Sequence, residues 1–186
     1  MASARSSTFH RWLLSKYLDY VLLMKRFLTP ALLALVLCSA LRAEPEYPKM
    51  GPDLYDPKSD GEIQITAALA TAKAEHKNVL LMFGANWCIW CRRLHHTFET
   101  EATVTKALNE NYVLVLIDSN WRHGEKRNYA INLRYDNPLK EGLPVLVVLN
   151  PEGKKLTMQE TGALEDGSAH SPAKINAFLA QWAPKK

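Results

Sequence analysis

Cys88 and Cys91 stand three residues apart in the stretch Gly84-Ala85-Asn86-Trp87-Cys88-Ile89-Trp90-Cys91-Arg92-Arg93. Two thiols at this spacing can exchange a disulfide with another dithiol, or supply half of a zinc site. Their surroundings favour exchange. Residues 79–83 (Val-Leu-Leu-Met-Phe) form a short apolar run of the kind a buried strand needs when both its faces are covered. After the pair, Cys91, Leu94, Phe98 and Ala102 recur at helical spacing. Cys88 therefore falls where a strand ends and a helix begins. A helix N-terminus offers unpaired N–H groups and partial positive charge, and both stabilise a thiolate. Cys91 lies one turn in, on the same face. The expected arrangement is an exposed attacking sulfur, Cys88, and a shielded resolving sulfur, Cys91.

The segment Ala85-Asn86-Trp87-Cys88-x-x-Cys91-Arg92 resembles the active-site segment of the thioredoxin superfamily. It is most similar to the exported bacterial branch, with its pattern Ala-(Asp/Asn)-Trp-Cys-x-x-Cys-(Lys/Arg). The resemblance implies an α/β architecture, the thioredoxin fold, in which a central mixed sheet is flanked by helices. It also implies a protein-disulfide reductase or related oxidoreductase whose working group is the redox-active Cys88–Cys91 disulfide, with no other cofactor and no metal. Gly142-Leu143-Pro144-Val145 lies about where such proteins place a cis proline beside the cysteine pair. By that resemblance Pro144 is cis, and the Leu143 backbone offers strand-like hydrogen bonds to a substrate chain. Trp87, Ile89 and Trp90 are the remaining candidate substrate-binding residues. Trp87 shields one side of the pair, and Ile89 and Trp90 occupy the two positions that tune its potential.

The elements that must position these residues can be read in order. The 186-residue chain is 47% hydrophobic and 23% charged, enough for one core. Its net charge of +4 belongs to the N-terminus: residues 1–43 hold six Lys/Arg and one Asp, leaving 17 basic and 18 acidic residues beyond. Nothing in that remainder tracks phosphate, so nucleic acid is excluded as a partner class. Met24-Lys25-Arg26, an apolar run to Leu41 and the small residue Ala43 make a secretory signal peptide over 24–43, cleaved after Ala43 or alternatively after Ala40. The apolar run is short of the about 20 residues of a membrane span. Met24 is then the expected start, with 1–23 an upstream extension. Cleavage removes Cys38, so the exported chain keeps only the two motif cysteines.

Residues 44–59, with Pro45, Pro48, Pro52 and Pro57, read as an extended lead-in or strap without a core of its own. The domain proper is expected over 60–186. Asp60 caps a first helix whose Ile63, Ala67, Ala70 and Ala74 share a face. The motif helix runs to about Glu99, and Thr100 or Thr103 caps the next. Strands follow at 112–117 and 145–149. Between them, 125–134 reads as a helix with Tyr129, Ala130 and Leu133 inward. Asn150-Pro151-Glu152-Gly153 is a turn that sends 154–160 back antiparallel. Residues 162–170 read as a polar loop. Ser171-Pro172 then opens a terminal helix with Ile175, Phe178, Leu179 and Trp182 on one face.

One departure bears on mechanism. Thioredoxins carry a buried Asp at the place Met82 takes here, so Cys91 needs another base or water. His95, four residues on, is a candidate, against the plainer role of a surface histidine. Disulfide-containing exported proteins and a membrane electron donor are the expected partners. A disulfide oxidase or isomerase, or a copper chaperone binding through the same cysteines, are the alternatives. Trp121, Arg122 and His123 are either a substrate lip or an ordinary loop.

Overall fold

The computed structural model of the protein describes residues 51–185. The expected extension (1–23), the leader (24–43) and the first part of the lead-in lie outside the described residues. The elements run α1 (Gly61–Glu75), β1 (Asn78–Gly84), α2 (Ile89–Thr100), α3 (Ala102–Asn111), β2 (Tyr112–Asp118), α4 (Tyr129–Arg134), β3 (Val145–Leu149) and β4 (Lys155–Glu160). A two-residue hairpin of β5 (Glu165–Asp166) and β6 (Ala169–His170) and the helix α5 (Pro172–Gln181) complete the chain.

The main sheet has the order β2-β1-β3-β4, with β1 parallel to β2 and antiparallel to β3, and β3 antiparallel to β4. This is the mixed, helix-flanked sheet that the sequence leads one to expect. Every residue of β1 and of β3 is buried, because each strand has a neighbour on both edges and helices on both faces. Alternate residues feed two cores. Leu80, Met82, Leu146 and Val148 join Leu94, Phe98, Val104, Ile175 and Phe178 from α2, α3 and α5. Val79, Leu81, Phe83, Val147 and Leu149 join Ile65, Ala68 and Ala72 of α1 and Ile131 of α4. The motif thus leaves one of the two fully buried strands, so its position is fixed by packing on both faces.

The ends of the helices follow local chemistry. The Asp60 side chain accepts hydrogen bonds from Glu62 N and Ile63 N. Ser171 accepts one from Lys174 N, with Pro172 in the first turn. Gly153, in the left-handed region at φ 82°, closes the 150–153 turn through its N–H to Asn150 O.

Four local expectations are corrected. The buried face of α1 is Gly61, Ile65, Ala68 and Ala72, and Ile63 is 69% exposed; an alanine-rich helix shows little contrast between its faces. The residue before α3 is Glu101, without a side-chain cap, while Thr105 donates to Phe98 O across the junction. Helix α4 starts only at Tyr129, because Asn128 takes a left-handed conformation at φ 50°. Its inward residues are Ile131 and Asn132, and Tyr129 and Leu133 face solvent. The segment 162–170 is not merely a polar loop: it holds a 3-10 turn with buried Leu164, and the β5–β6 hairpin that buries His170.

Candidate active site

Cys88 is the N-cap of α2, and its Sγ accepts a hydrogen bond from Cys91 N at 3.0 Å. The two cysteines are joined in a disulfide, with Cα atoms 5.3 Å apart. When the bond is reduced, charge on Cys88 Sγ sits where the first turn of α2 presents its N–H groups. Cys91 is fully buried, as expected. Cys88 is not the exposed sulfur the spacing leads one to expect: it is only 5% exposed. Trp87, Trp90, Leu54 and Leu143 pack against the cluster that contains both cysteines, and this apolar rim accounts for the cover. Ile89, 37% exposed, is the outermost residue of the motif.

The loop before Cys88 is held by a strap that sequence reasoning left without a core. Asn86 is the hub. Its Oδ1 accepts from Leu54 N and Tyr55 N, both at 2.8 Å, and its Nδ2 donates to Tyr55 O at 2.8 Å. Arg92 adds two clamps, Nε to Asn86 O at 3.1 Å and Nη1 to Pro52 O at 2.9 Å, so it is no idle surface cation. Tyr55 is consequently driven into the core and is 1% exposed.

The rim beside the cysteines is aromatic and cationic. Trp87 donates its indole N–H to Asn120 Oδ1 at 2.8 Å, lies edge-on to Trp121 with centroids 4.9 Å apart, and carries the Arg122 guanidinium 3.9 Å above its ring. The 119–125 segment is therefore part of this rim, and Trp121 is 45% exposed on it. On the other side, Arg93 lies over Trp90 at 4.5 Å and Trp90 meets His170 edge-on at 5.6 Å. The Leu143–Pro144 bond is cis, as the resemblance implies. Pro144 O accepts from Thr161 Oγ1 at 2.7 Å, and Leu143 lies just beyond the last ladder pair of β3. Asn132, fully buried, builds the approach to this loop: its Nδ2 donates to Asn137 Oδ1 at 2.6 Å and its Oδ1 accepts from Leu139 N at 3.0 Å.

Titratable groups near the pair are few. Met82 is fully buried in the same cluster and supplies no proton acceptor. His95 pairs with Glu99 at 3.3 Å, one turn further along α2, and burial holds its pKa below the ordinary value against the pull of Glu99. Asp118, at the end of β2, is pushed up by burial, opposed by its hydrogen bond from Asn120 N and by Arg127. Among the described residues, no group of three or more His, Cys, Asp or Glu is placed to hold a metal ion.

His170 was not anticipated. It is 2% exposed, and neither ring nitrogen has a hydrogen-bond partner among the described residues. Burial, reinforced by the Arg93 charge, lowers its pKa to about 4. An unfolded chain would take up that proton near pH 6.5. The unfolded state therefore binds more protons between these values, and stability is full above about pH 6.5 and falls as the pH drops towards 4. Over that window His170 should cost the fold on the order of 2–3 kcal/mol. His170→Phe, which keeps an aromatic ring against Trp90, should flatten that slope. Denaturant stability measured from pH 7 to 4 checks this, and parallel curves for the two proteins would defeat it.

A helix-capping disulfide, a cis Leu143–Pro144 bond just before β3 and a four-stranded mixed sheet suit a protein to thiol–disulfide chemistry. A thioredoxin-like family model matches residues 60–151. The crystal structure of a disulphide isomerase from Xylella fastidiosa Temecula1 is 33% identical, covers 69% of this chain and 95% of its own, and superimposes with a TM-score of 0.60. A thioredoxin from Thermus thermophilus is 22% identical over 62% of this chain and 81% of its own (TM-score 0.46). The C-terminal domain of DsbD from Neisseria meningitidis, in its oxidised form, is 21% identical over 66% and 96% (TM-score 0.45). No curated protein matches. The chain belongs to the thioredoxin-like family, and it is a thioredoxin-like oxidoreductase with a Cys-x-x-Cys pair at disulfide distance.

Proposed function

We propose that this protein is exported and works as a disulfide reductase on disulfide-containing exported proteins, drawing its electrons from a membrane donor. The observation that carries the reading is the Cys88–Cys91 pair itself, one sulfur at the start of α2 and the other buried behind it. Export is supported by the charge, apolar core and small-residue pattern over 24–43. In the cycle, the Cys88 thiolate attacks one sulfur of a substrate disulfide and forms a mixed disulfide. The Cys91 thiolate then attacks Cys88 Sγ, the substrate leaves as a dithiol, and the pair is left oxidised. Trp87, Ile89 and Trp90 form the surface on which the client lies. The Leu143 backbone beside Pro144 pairs with its extended chain. No cofactor beyond the redox-active disulfide takes part.

A second reading, oxidase or isomerase, is favoured by the Xylella fastidiosa relative, a disulphide isomerase. The reduction potential of the Cys88/Cys91 couple, from equilibration with glutathione, separates the two. We expect a value near about −270 mV, that of a reductant; one near about −120 mV would instead mark an oxidant and about −180 mV an isomerase.

A further inference from the structure

The strap brings a hydroxyl to the resolving sulfur. Gly84, the last residue of β1, has no side chain, and the space where one would begin is filled from two sides. A Cβ there would overlap the Tyr55 hydroxyl and ring end and would lie 2.9 Å from Cys91 Sγ. The Tyr55 hydroxyl and the inner sulfur thus both face the bare side of Gly84, close to one another. It is buried, and among the described residues nothing hydrogen-bonds to it in the oxidised protein. An orphaned buried hydroxyl costs the oxidised protein on the order of 1–3 kcal/mol, a cost that points to a second state in which the group is paired. Reduction creates such a state. It puts a thiol or thiolate on Cys91, in a core cluster of Leu80, Met82, Leu94 and Leu146 that gives charge no solvation.

We propose that Tyr55 is the hydrogen-bond donor that stabilises the Cys91 thiolate when the pair is open. Three features fix it in this role. The Asn86 side chain holds the Tyr55 backbone on both sides, through its N–H and its C=O. Burial and the charge of Asp118 keep the phenol protonated, with Arg92 opposing weakly, so it is a donor throughout the working pH range. Asp118 is the ladder partner of Gly84 on β2. Ladder partners project to the same side of a sheet, so its carboxyl lies on the Tyr55 side, where Arg127 faces it at 3.4 Å.

The role rests on exchange through Cys88 and Cys91, and its place in the cycle is the resolving step. With oxidised glutathione as the probe, the Cys88 thiolate displaces one glutathione thiolate and forms a Cys88–glutathione disulfide. The Cys91 thiol yields its proton to water, and its thiolate attacks Cys88 Sγ. The Cys88–Cys91 bond forms, the Cys88–glutathione bond breaks, and the second glutathione leaves as a thiolate. The two electrons that reduce the glutathione disulfide come from the protein pair. Tyr55 keeps its proton throughout and lowers the cost of the Cys91 thiolate by donating a hydrogen bond to it.

The test compares the full chain with Tyr55→Phe, which removes only the oxygen. The resolving rate with oxidised glutathione is followed by tryptophan fluorescence from pH 6 to 10. At pH 7 the variant should resolve about tenfold more slowly, with its pH profile displaced upward by about one unit and its rate converging on wild type at the alkaline end. At the alkaline end, where Cys91 is ionised in both proteins, the same tenfold change should make the couple about 30 mV more negative, while near pH 7 the two potentials should agree. The melting temperature of the oxidised variant should be unchanged or higher, since an orphaned group has been removed. Coincident pH profiles, or a variant slowed equally at every pH, would overturn the assignment while leaving the oxidoreductase reading intact. A wild-type protein inert to oxidised glutathione would sink both.

Discussion

Cys91→Ser should turn a multiple-turnover catalyst into a trap. Cys88 keeps its place at the head of α2, and the backbone N–H of residue 91 still points at its sulfur, so the first attack on a client disulfide survives. The second attack has no nucleophile. Client proteins should therefore accumulate on Cys88 as disulfide-linked adducts that run apart on non-reducing gels and collapse with reductant. Catalytic turnover should fall by on the order of 10³-fold or more, as expected when a covalent cycle loses one of its two nucleophiles. Cys88→Ser should lose turnover equally and capture nothing, because Cys91 is fully buried and cannot be reached by a client. A hydroxyl placed in the Cys91 core site costs about 1–3 kcal/mol, so circular dichroism should accompany the gels. Equal adduct yields from both variants, or none from either in a folded protein, would remove exchange as the activity.

Much of the apparatus behind that prediction was legible in the residue order. The pair, the apolar strand before it and the helical spacing after it each carry a strong local signal, and the 150–153 turn and the Ser171-Pro172 helix start are equally local. Where the sequence misled, the determining contact was remote or lacked contrast. Helix α1 offers alanines on several faces, so the side that packs is decided by the sheet beneath it. In 119–143 the chain is held by the Asn128 side chain bonding Gly61 N and Asp118 O, by Asn132 bonding Leu139 N, and by positive φ at Asn128, Asp136 and Asn137. Periodicity cannot register such bonds. Tyr55 lies in a proline-rich stretch that reads as solvent-facing, and its placement depends on Asn86, 31 residues away. Cys88 looked exposed because helix N-termini usually are. Two of the side chains that cover it, Leu54 and Leu143, come from distant positions in the chain, while Trp87 and Trp90 flank it within the motif.

That dependence makes Asn86 the residue whose loss should be felt most widely outside the cysteines. Asn86→Ala removes two acceptor bonds to the backbone of Leu54 and Tyr55 and one donor bond to Tyr55 O, all at 2.8 Å. At about 1 kcal/mol for each bond, the fold should lose about 3 kcal/mol. Asn86→Asp keeps the two acceptor bonds but sets a carboxylate oxygen against the Tyr55 carbonyl, and so should fall between the alanine variant and wild type. The Arg92 contact with Pro52 O remains in both and limits how far the strap can leave. Denaturant unfolding measures the energy, and limited proteolysis shows where it was spent. New cleavage should appear within 51–60 before the sheet is touched, since a released strap exposes backbone that the hub now holds. An alanine variant within about 0.5 kcal/mol of wild type, and no more open to protease there, would mean that the strap is held by Tyr55 packing alone and that Asn86 is not its anchor.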